Sequence, residues 1–135
     1  LKLKCQELLL FLSMTGPAEN TVFNSFHSEQ ADAVRKIHDA MTSDLRKRHM
    51  IDELSRLYLI NTAALKSVFK SVYGMPVASY MKQYRIMKAA ELLRNTDKSV
   101  SAVASEVGYE SQSKFSAAFK DIMKILPTDY RRQYT

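Results

Sequence analysis

Residues 51–70 of this chain read IDELSRLYLINTAALKSVFK, and residues 100–120 read VSAVASEVGYESQSKFSAAFK. Apolar residues, a small residue, a turn and an aromatic-Lys pair follow one another in the same order in both stretches. The offset between the copies is 49 residues at Ser55 and Ala104 and 50 residues after the turn, so the second copy has one extra residue in its turn. A repeat of this kind indicates that one structural unit is used twice.

Apolar residues recur at helical spacing through the first copy and through the segment that follows it. We predict short helices over residues 50–58 and 62–73. The second of these starts after the N-cap Asn61 and ends at Gly74 in a left-handed conformation. The longest helix is predicted over residues 77–94. It carries apolar residues on more than one side, so it can hold one small unit against each flank.

The two copies predict the same arrangement, a helix-turn-helix over about residues 50–74 and another over about residues 99–124. The second has its turn at Gly108-Tyr109. Pro127 suits the first turn of a last short helix. No alternating apolar and polar run of strand type occurs in the sequence. The fold class is therefore predicted to be all-α, with about seven helices in which two helix-turn-helix subdomains are joined by a long linker helix.

The two ends of the chain differ in character. Residues 1–28 are expected to be the tail of an upstream domain: a short helix over residues 1–14 with too much apolar surface to stand alone, then a linker. The repeat-bearing domain is expected over residues 29–135. Its first helix should start after Ser28 as N-cap and run to the basic cluster Arg46-Lys47-Arg48. This cluster either suits the negative end of that helix or contacts phosphates.

Charge and cysteine content indicate which partners and sites this chain can have. The 135 residues carry a formal net charge of +6, and the excess lies in residues 29–135, with 18 basic and 12 acidic side chains. Such a field attracts polyanions, nucleic acids among them. Cys5 is the only cysteine, which excludes an intrachain disulfide and a Cys-based zinc site and fits the cytoplasm. No stretch approaches the length of a membrane helix, so we expect no membrane partner.

Two short helices joined by a tight turn, the second with a polar outer face, form a helix-turn-helix. Ser55 and Ala104 are small enough to let the two helices of each unit cross closely. The second helix can then enter the major groove of DNA, which accommodates an α-helix and displays a distinct edge pattern for each base pair. We therefore expect double-stranded DNA as the partner.

The pattern from Ile51 to Arg85, and again from Val100 to Arg131, resembles the DNA-binding domain of AraC/XylS-type transcription regulators. The resemblance covers about residues 29–132. Its more diagnostic half is a set of positions in fixed order: Ala104, Gly108, Tyr109, Phe115, Phe119, Lys120, Pro127, Tyr130 and Arg131. The family resemblance implies that two recognition helices enter successive major-groove segments, roughly 34 Å apart. One chain would then read two half-sites.

The resemblance also implies which residues meet DNA. Six positions correspond to the family's base-facing residues: Ala63, Lys66, Ser67, Ser113, Lys114 and Ala117. Lys can donate to guanine O6 or N7, Ser can bond many base edges, and Ala can only meet a thymine methyl. Because no Arg stands among the six, we predict modest intrinsic specificity. Phosphate contacts are predicted from six further residues: Asn61, Thr62, Lys70, Gln112, Lys120 and Arg131. Binding should weaken steeply with salt.

Three positions depart from the family pattern. Leu59 stands in the first turn, where the family often has Gly. Lys124 stands where Gly usually ends the second recognition helix, and a non-Gly residue in the left-handed region costs on the order of 1 kcal/mol. Leu126 replaces the usual Ser or Thr before Pro127, which removes an N-cap.

Full-length relatives in this family usually carry a sensing or dimerising domain ahead of the DNA-binding one. The resemblance therefore implies a bacterial cytoplasmic transcription regulator, either an activator or a repressor, that also contacts RNA polymerase and forms a homodimer through a part upstream of this chain.

Two other function classes remain to be compared with this one. An enzyme would need a Ser/His/acid or Cys/His arrangement, a glycine-rich phosphate loop or paired carboxylates, and the sequence has no such signature, so we expect neither catalysis nor a cofactor. An all-helical protein-interaction module without DNA binding is the alternative. The histidines His27, His38 and His49 are expected on the surface. The latter pair would lie about 16 Å apart along one helix, too far to bind one metal.

Overall fold

The computed structural model describes residues 17–134, with side chains from Ser28 onward. Within these residues the chain forms helices and no strand, which confirms the predicted all-α class. The seven helices are α1 Pro17–Ser43, α2 Ile51–Leu57, α3 Thr62–Tyr73, α4 Val77–Asn95, α5 Val100–Glu106, α6 Gln112–Met123 and α7 Pro127–Arg132. The short helix predicted over residues 1–14 lies outside the described part of the chain.

Helix α1 begins earlier than the sequence indicated. A linker was predicted up to residue 28 with a helix start at Ser28, but the backbone is helical from Pro17. Pro is favoured in the first turn of a helix because its missing N–H would have no partner there. Neither Gly nor Pro interrupts residues 18–43. Pro17 therefore begins helix α1, where the sequence predicted a linker.

The described chain divides into two compact units. One comprises residues 17–37 and 51–76, and so contains the first part of α1 with α2 and α3. The other comprises residues 38–50 and 77–134, and so contains the end of α1 with α4 to α7. Each helix-turn-helix therefore lies in a unit of its own, and the long helix α4 packs on α5, α6 and α7 within the second unit.

The first unit is organised around the buried face of α3. Leu65, Val68 and Phe69 of α3 are buried, as is Leu54 of α2. The side-chain oxygen of Asn61 accepts a hydrogen bond from the N–H of Ala64 at 2.7 Å, which confirms the predicted N-cap.

The other end of α3 also follows the prediction. Gly74 has a φ of 83°, and its N–H donates to the carbonyl oxygen of Lys70 at 2.8 Å. This left-handed residue ends the helix, as its position in the sequence indicated.

The turn between α2 and α3 holds Leu59 in the left-handed region, with a φ of 55°. Two hydrogen bonds close this turn. The N–H of Ile60 donates to the carbonyl oxygen of Ser55 at 3.1 Å, and the hydroxyl of Ser55 donates to the carbonyl oxygen of Ile60. The small residue predicted at position 55 therefore also bonds the turn through its hydroxyl.

The second unit has an aromatic core. Phe115 and Phe119 of α6 are fully buried, and their ring centroids lie 5.8 Å apart. Tyr130 of α7 meets the Phe119 ring edge-on at 5.4 Å. Helix α4, which packs on α6 and α7, buries Ala89 and Ala90 completely.

Both predicted departures in the second unit are present. Lys124 ends α6 with a φ of 64°, and its N–H donates to the carbonyl oxygen of Lys120 at 2.9 Å. Leu126 makes no side-chain cap at the start of α7, although Pro127 occupies the first turn as expected. The two preceding helices of this unit do have side-chain N-caps. The hydroxyl oxygen of Ser99 accepts from the N–H of Ala102 at the start of α5, and that of Ser111 accepts from the N–H of Lys114 at the start of α6.

Candidate nucleic-acid interface

Helix α3 has one face in the core of the first unit and the opposite face in solvent. The three positions predicted to face bases, Ala63, Lys66 and Ser67, are all exposed. Residues spaced by three and four lie on one side of a helix, so these side chains form a single surface. Lys70 is exposed one turn further on, and Thr62 is half-buried.

Helix α6 repeats this arrangement in the second unit. Ser113, Lys114 and Ala117 are exposed on the side of α6 opposite the buried Phe115 and Phe119. Two residues predicted to contact phosphates are exposed at the ends of the same helix: Gln112 and Lys120. Each recognition helix therefore offers Lys, Ser and Ala to solvent within one turn, and burial of its aromatic side chains determines which face is offered.

Two of the residues predicted to contact phosphates also have structural partners. Asn61 uses its side-chain oxygen as the N-cap of α3. Arg131 is half-buried, and its Nε and Nη2 donate to the carbonyl oxygens of Leu93 and Thr96 at 3.1 and 3.3 Å. These carbonyls lie at the C-terminal end of α4, where a cation is favourable. The sequence did not indicate this structural role of Arg131.

The basic cluster at residues 46–48 is not at a helix end, so the first of its two interpretations is wrong. Helix α1 ends at Ser43 and has no basic residue in its last turn. Arg48 instead contacts the turn between α5 and α6: its Nε donates to the carbonyl oxygen of Gly108 at 2.9 Å, and its guanidinium lies 5.0 Å from the centroid of the Tyr109 ring. All three residues of the cluster, Arg48 included, are exposed.

Arg85 of α4 contacts the same turn. It is 3% exposed, and its Nη1 donates to the carbonyl oxygens of Leu45 and of Val107, the latter at 2.9 Å. Burial lowers the pKa of Arg85, and the nearby Arg48 cation adds to this effect. No sequence signal marked these long-range contacts, because they join parts of the chain that helical spacing does not relate.

Gly108 is the residue that these arginines surround. Its φ is 92°, and a Cβ at this position would overlap the carbonyl oxygen of Leu45 and Nη1 of Arg85. Its N–H donates to the carbonyl oxygen of Ser105 at 3.1 Å, while the N–H of Tyr109 donates to that of Ala104 at 2.9 Å. The turn before the second recognition helix therefore requires glycine for conformation and for space.

An ion pair joins α6 to α4 on the surface of the second unit. Nζ of Lys82 lies 2.6 Å from a carboxylate oxygen of Asp121. Their hydrogen bond raises the pKa of Lys82 and lowers the pKa of Asp121. Both side chains are solvent-exposed, so the pair contributes little to the stability of the fold.

The histidines differ from the expectation of surface positions. His38 and His49 are half-buried, and Nε2 of His38 lies 2.8 Å from the hydroxyl oxygen of Tyr80. Burial, followed by the neighbouring Tyr84, raises the pKa of that Tyr80 hydroxyl. The side chain of His27 lies outside the described part. Among the residues described, no three His, Cys, Asp or Glu side chains come together as metal ligands. Every helix within residues 17–134 is too short or too polar to cross a lipid bilayer.

The sequence of this chain matches a known protein family. A family model described as a helix-turn-helix domain matches residues 54–133, which is more than half of the chain. Over 128 residues the chain is 24% identical to the HTH-type transcriptional activator RhaR of Mannheimia succiniciproducens, a match that covers 95% of this chain and 45% of that protein. The chain thus spans less than half the length of this curated relative.

Solved structures share the fold. The C-terminal domain of AraT, a response regulator from Geobacillus stearothermophilus, matches with a TM-score of 0.70 and 27% identity over 75% of this chain and 84% of that one. The DNA-binding domain of AdpA, a global transcriptional factor solved in complex with a target DNA, matches with a TM-score of 0.70 and 21% identity over 75% of this chain and 91% of that one. The resemblance inferred from the residues is therefore confirmed: the chain belongs to the AraC-type family of helix-turn-helix domains, a family of transcription regulators and not of enzymes.

Proposed function

We propose that this chain is the DNA-binding part of a bacterial transcription regulator, in which α3 and α6 enter successive major-groove segments of a promoter. The observation that supports the proposal is that the two helices expose similar surfaces to solvent. Each buries its aromatic face in its own unit and exposes Lys, Ser and Ala within one turn on the other face. The AdpA domain, which has the same fold, was solved on DNA.

Base contacts are proposed from the six exposed positions of the two helices: Ala63, Lys66, Ser67, Ser113, Lys114 and Ala117. The two Lys can donate to guanine, and the two Ser can bond several base edges, whereas the two Ala allow close approach to a thymine methyl. Without an Arg fork these contacts discriminate modestly. Part of the specificity must then come from the shape and deformability of the duplex.

Phosphate contacts are proposed chiefly from Lys70 and Lys120, which are exposed near the ends of α3 and α6. Gln112, Thr62 and Asn61 lie at the helix starts, where the backbone N–H groups also favour an anion. Arg131 already donates to two carbonyl oxygens at the C-terminal end of α4. We therefore assign it mainly to this structural contact and only secondarily to phosphate binding.

The salt dependence of DNA binding tests this proposal. A labelled duplex library of random sequence is titrated with the protein at several salt concentrations, and the bound fraction is selected and sequenced. We expect saturable binding that weakens with salt, because each neutralised phosphate adds about 0.9 to the slope of log affinity against log salt. A slope near zero contradicts the proposal. An absence of binding supports a protein-interaction module instead.

A matched charge control makes the test specific. Lys70→Ala and Lys120→Ala should each lower the slope by about one. Lys36→Ala removes the same charge from an exposed position on α1, and the slope should not change. Equal effects of all three substitutions would mean that only net charge attracts the DNA.

We further propose that the whole protein acts in the cytoplasm, activates transcription through a contact with RNA polymerase and forms a homodimer through a part not contained in this chain. Activation and a further part of the protein are supported by RhaR, which is described as a transcriptional activator and is more than twice as long as the matched region. For this chain we expect no catalytic activity and no cofactor requirement, since groove binding needs neither. Reporter transcription with and without a fused upstream domain would test these roles.

A further inference from the structure

Arg48 lies between α1 and α2, outside both helix-turn-helix pairs, and yet it contacts the second of them. Its Nε donates to the carbonyl oxygen of Gly108 at 2.9 Å. Its guanidinium carbon lies over the ring of Tyr109 at 5.0 Å from the centroid. Two consecutive residues of the turn between α5 and α6 are thus bound by one planar side chain that is 60 residues away in sequence.

The contact reaches the second recognition helix by two short routes. Along the chain, Tyr109 is two residues from Ser111, which is the N-cap of α6. Through space, the Tyr109 ring lies 5.7 Å from the ring of Phe115, which is fully buried in α6. Phe115 is adjacent to Lys114, so a shift of the turn moves the residues proposed to meet bases.

The placement of Arg48 also carries an electrostatic cost. Its cation lies near Arg85, and the two arginines bind the carbonyl oxygens of consecutive residues, Arg48 that of Gly108 and Arg85 that of Val107. Burial and this like charge lower the pKa of Arg85. Arg48 keeps its two contacts with the turn although another cation lies nearby, which favours a role in fixing the turn.

We propose that Arg48 is a positioning residue for the second recognition helix, which determines base preference in one half-site without contacting DNA. The DNA readout of this inference rests on the proposed function. Arg is needed because its planar fork can donate and stack at once, which the point charge of Lys does not reproduce.

The first experiment compares Arg48→Lys, Arg48→Ala and the control Lys47→Ala by selection from the random duplex library. Both Arg48 variants should lose about tenfold in discrimination within the half-site read by α6, as expected for a lost charged hydrogen bond and cation–π contact. The other half-site and the salt slope should be unchanged. Lys114→Ala identifies which half-site α6 reads. Rescue by Arg48→Lys, or a slope lowered by about one in Arg48→Ala, overturns the inference and makes Arg48 a phosphate contact.

The second experiment needs no DNA. Amide hydrogen exchange of the free protein should become about tenfold faster at residues 108–114 in both Arg48 variants, since one hydrogen bond to a charged group is lost. Exchange in α3 should be unchanged, and Lys47→Ala should match the wild type throughout. If exchange at residues 108–114 does not change, the inference is wrong even where DNA binding is altered.

The two experiments separate the inference from the function on which it rests. A wild-type chain that fails to bind DNA overturns the proposed function, but faster exchange at residues 108–114 would still establish that Arg48 holds the turn. Should Arg48→Ala fail to fold, Tyr109→Leu removes the ring beneath the guanidinium and keeps the carbonyl hydrogen bond of Gly108. Tyr109→Leu should then give a smaller increase in exchange at the same residues, because the cation–π contact is lost while the hydrogen bond remains, and unchanged exchange would count against the inference.

Discussion

Nη1 of Arg85 donates a hydrogen bond to the carbonyl oxygen of Val107 at 2.9 Å. Val107 is the C-cap of α5, so a buried cation of the long helix α4 meets the negative end of the first helix of the second helix-turn-helix. The same atom also donates to the carbonyl oxygen of Leu45, which follows α1. One side chain therefore joins three segments of the second unit at a point where the carbonyls of Leu45 and Val107 would otherwise lack this donor.

Arg85→Met should destabilise the protein strongly. It preserves most of the side-chain volume but leaves the carbonyls of Leu45 and Val107 without their donor, at a cost of about 3 kcal/mol. Urea denaturation followed by circular dichroism measures the change. As a control, Arg35→Met at an exposed position of α1 should change the free energy of unfolding by less than about 0.5 kcal/mol. Equal stability of Arg85→Met and wild type would show that the buried hydrogen bonds contribute little.

Gly108→Ala should be more harmful than a positive φ alone explains. The added Cβ would overlap Leu45 and Arg85, so we expect a loss above roughly 3 kcal/mol, as for other overpacked sites. Gly74→Ala provides the comparison, because Gly74 has a similar φ of 83° but is exposed, and should cost only about 1 kcal/mol. Similar losses for the two variants would argue against the close packing around Gly108.

Leu59→Asn should stabilise the first unit by about 0.5–1 kcal/mol, because Asn tolerates the left-handed region better than Leu. Leu59 is 93% exposed, so its removal sacrifices almost no burial. Thermal denaturation measures the gain. Leu57→Asn, at an exposed position with helical backbone, is the matched control and should not stabilise the protein. A lower melting temperature for Leu59→Asn would mean that the leucine makes a stabilising contact.

Leu126→Ser should stabilise α7 by about 1 kcal/mol, because a hydroxyl at the N-cap can accept a backbone N–H that Leu126 leaves without a side-chain partner. The leucine is 41% exposed, so the loss of apolar burial is partial. Leu126→Ala loses the same burial without adding an acceptor. The free energy of unfolding should therefore rise for Ser relative to Ala, and equal values would exclude a capping effect.

Lys114→Ala and Lys120→Ala should differ in kind although they lie on the same exposed helix. Lys114→Ala should flatten base discrimination within one half-site by about 1–3 kcal/mol. Lys120→Ala should weaken binding to all sequences alike. Competition titrations with selected and random duplexes measure both. Identical effects on the two kinds of DNA would show that Lys114 is not base-facing.

Helix starts and ends could be predicted from the sequence where the side chains beside them determine the backbone conformation. The N-cap at Asn61, the glycine stop at Gly74 and the strained end at Lys124 all follow from side chains that act on the backbone beside them. The predicted start of α1 was wrong, because turn-forming residues such as Pro indicate a boundary but not whether a linker or a helix follows it. Pro17 then begins a helix instead of preceding a linker.

The sequence by itself determined the all-α class, the two repeated units and the exposed faces of their second helices, because helical periodicity assigns each residue to the core or to solvent. Only the tertiary structure decided what Arg48, Arg85 and Arg131 do. Each donates to backbone carbonyls far away in sequence. In the sequence, an arginine that binds backbone carbonyls looks the same as an arginine in solvent. Only the folded backbone brings the carbonyl oxygens within reach of its guanidinium.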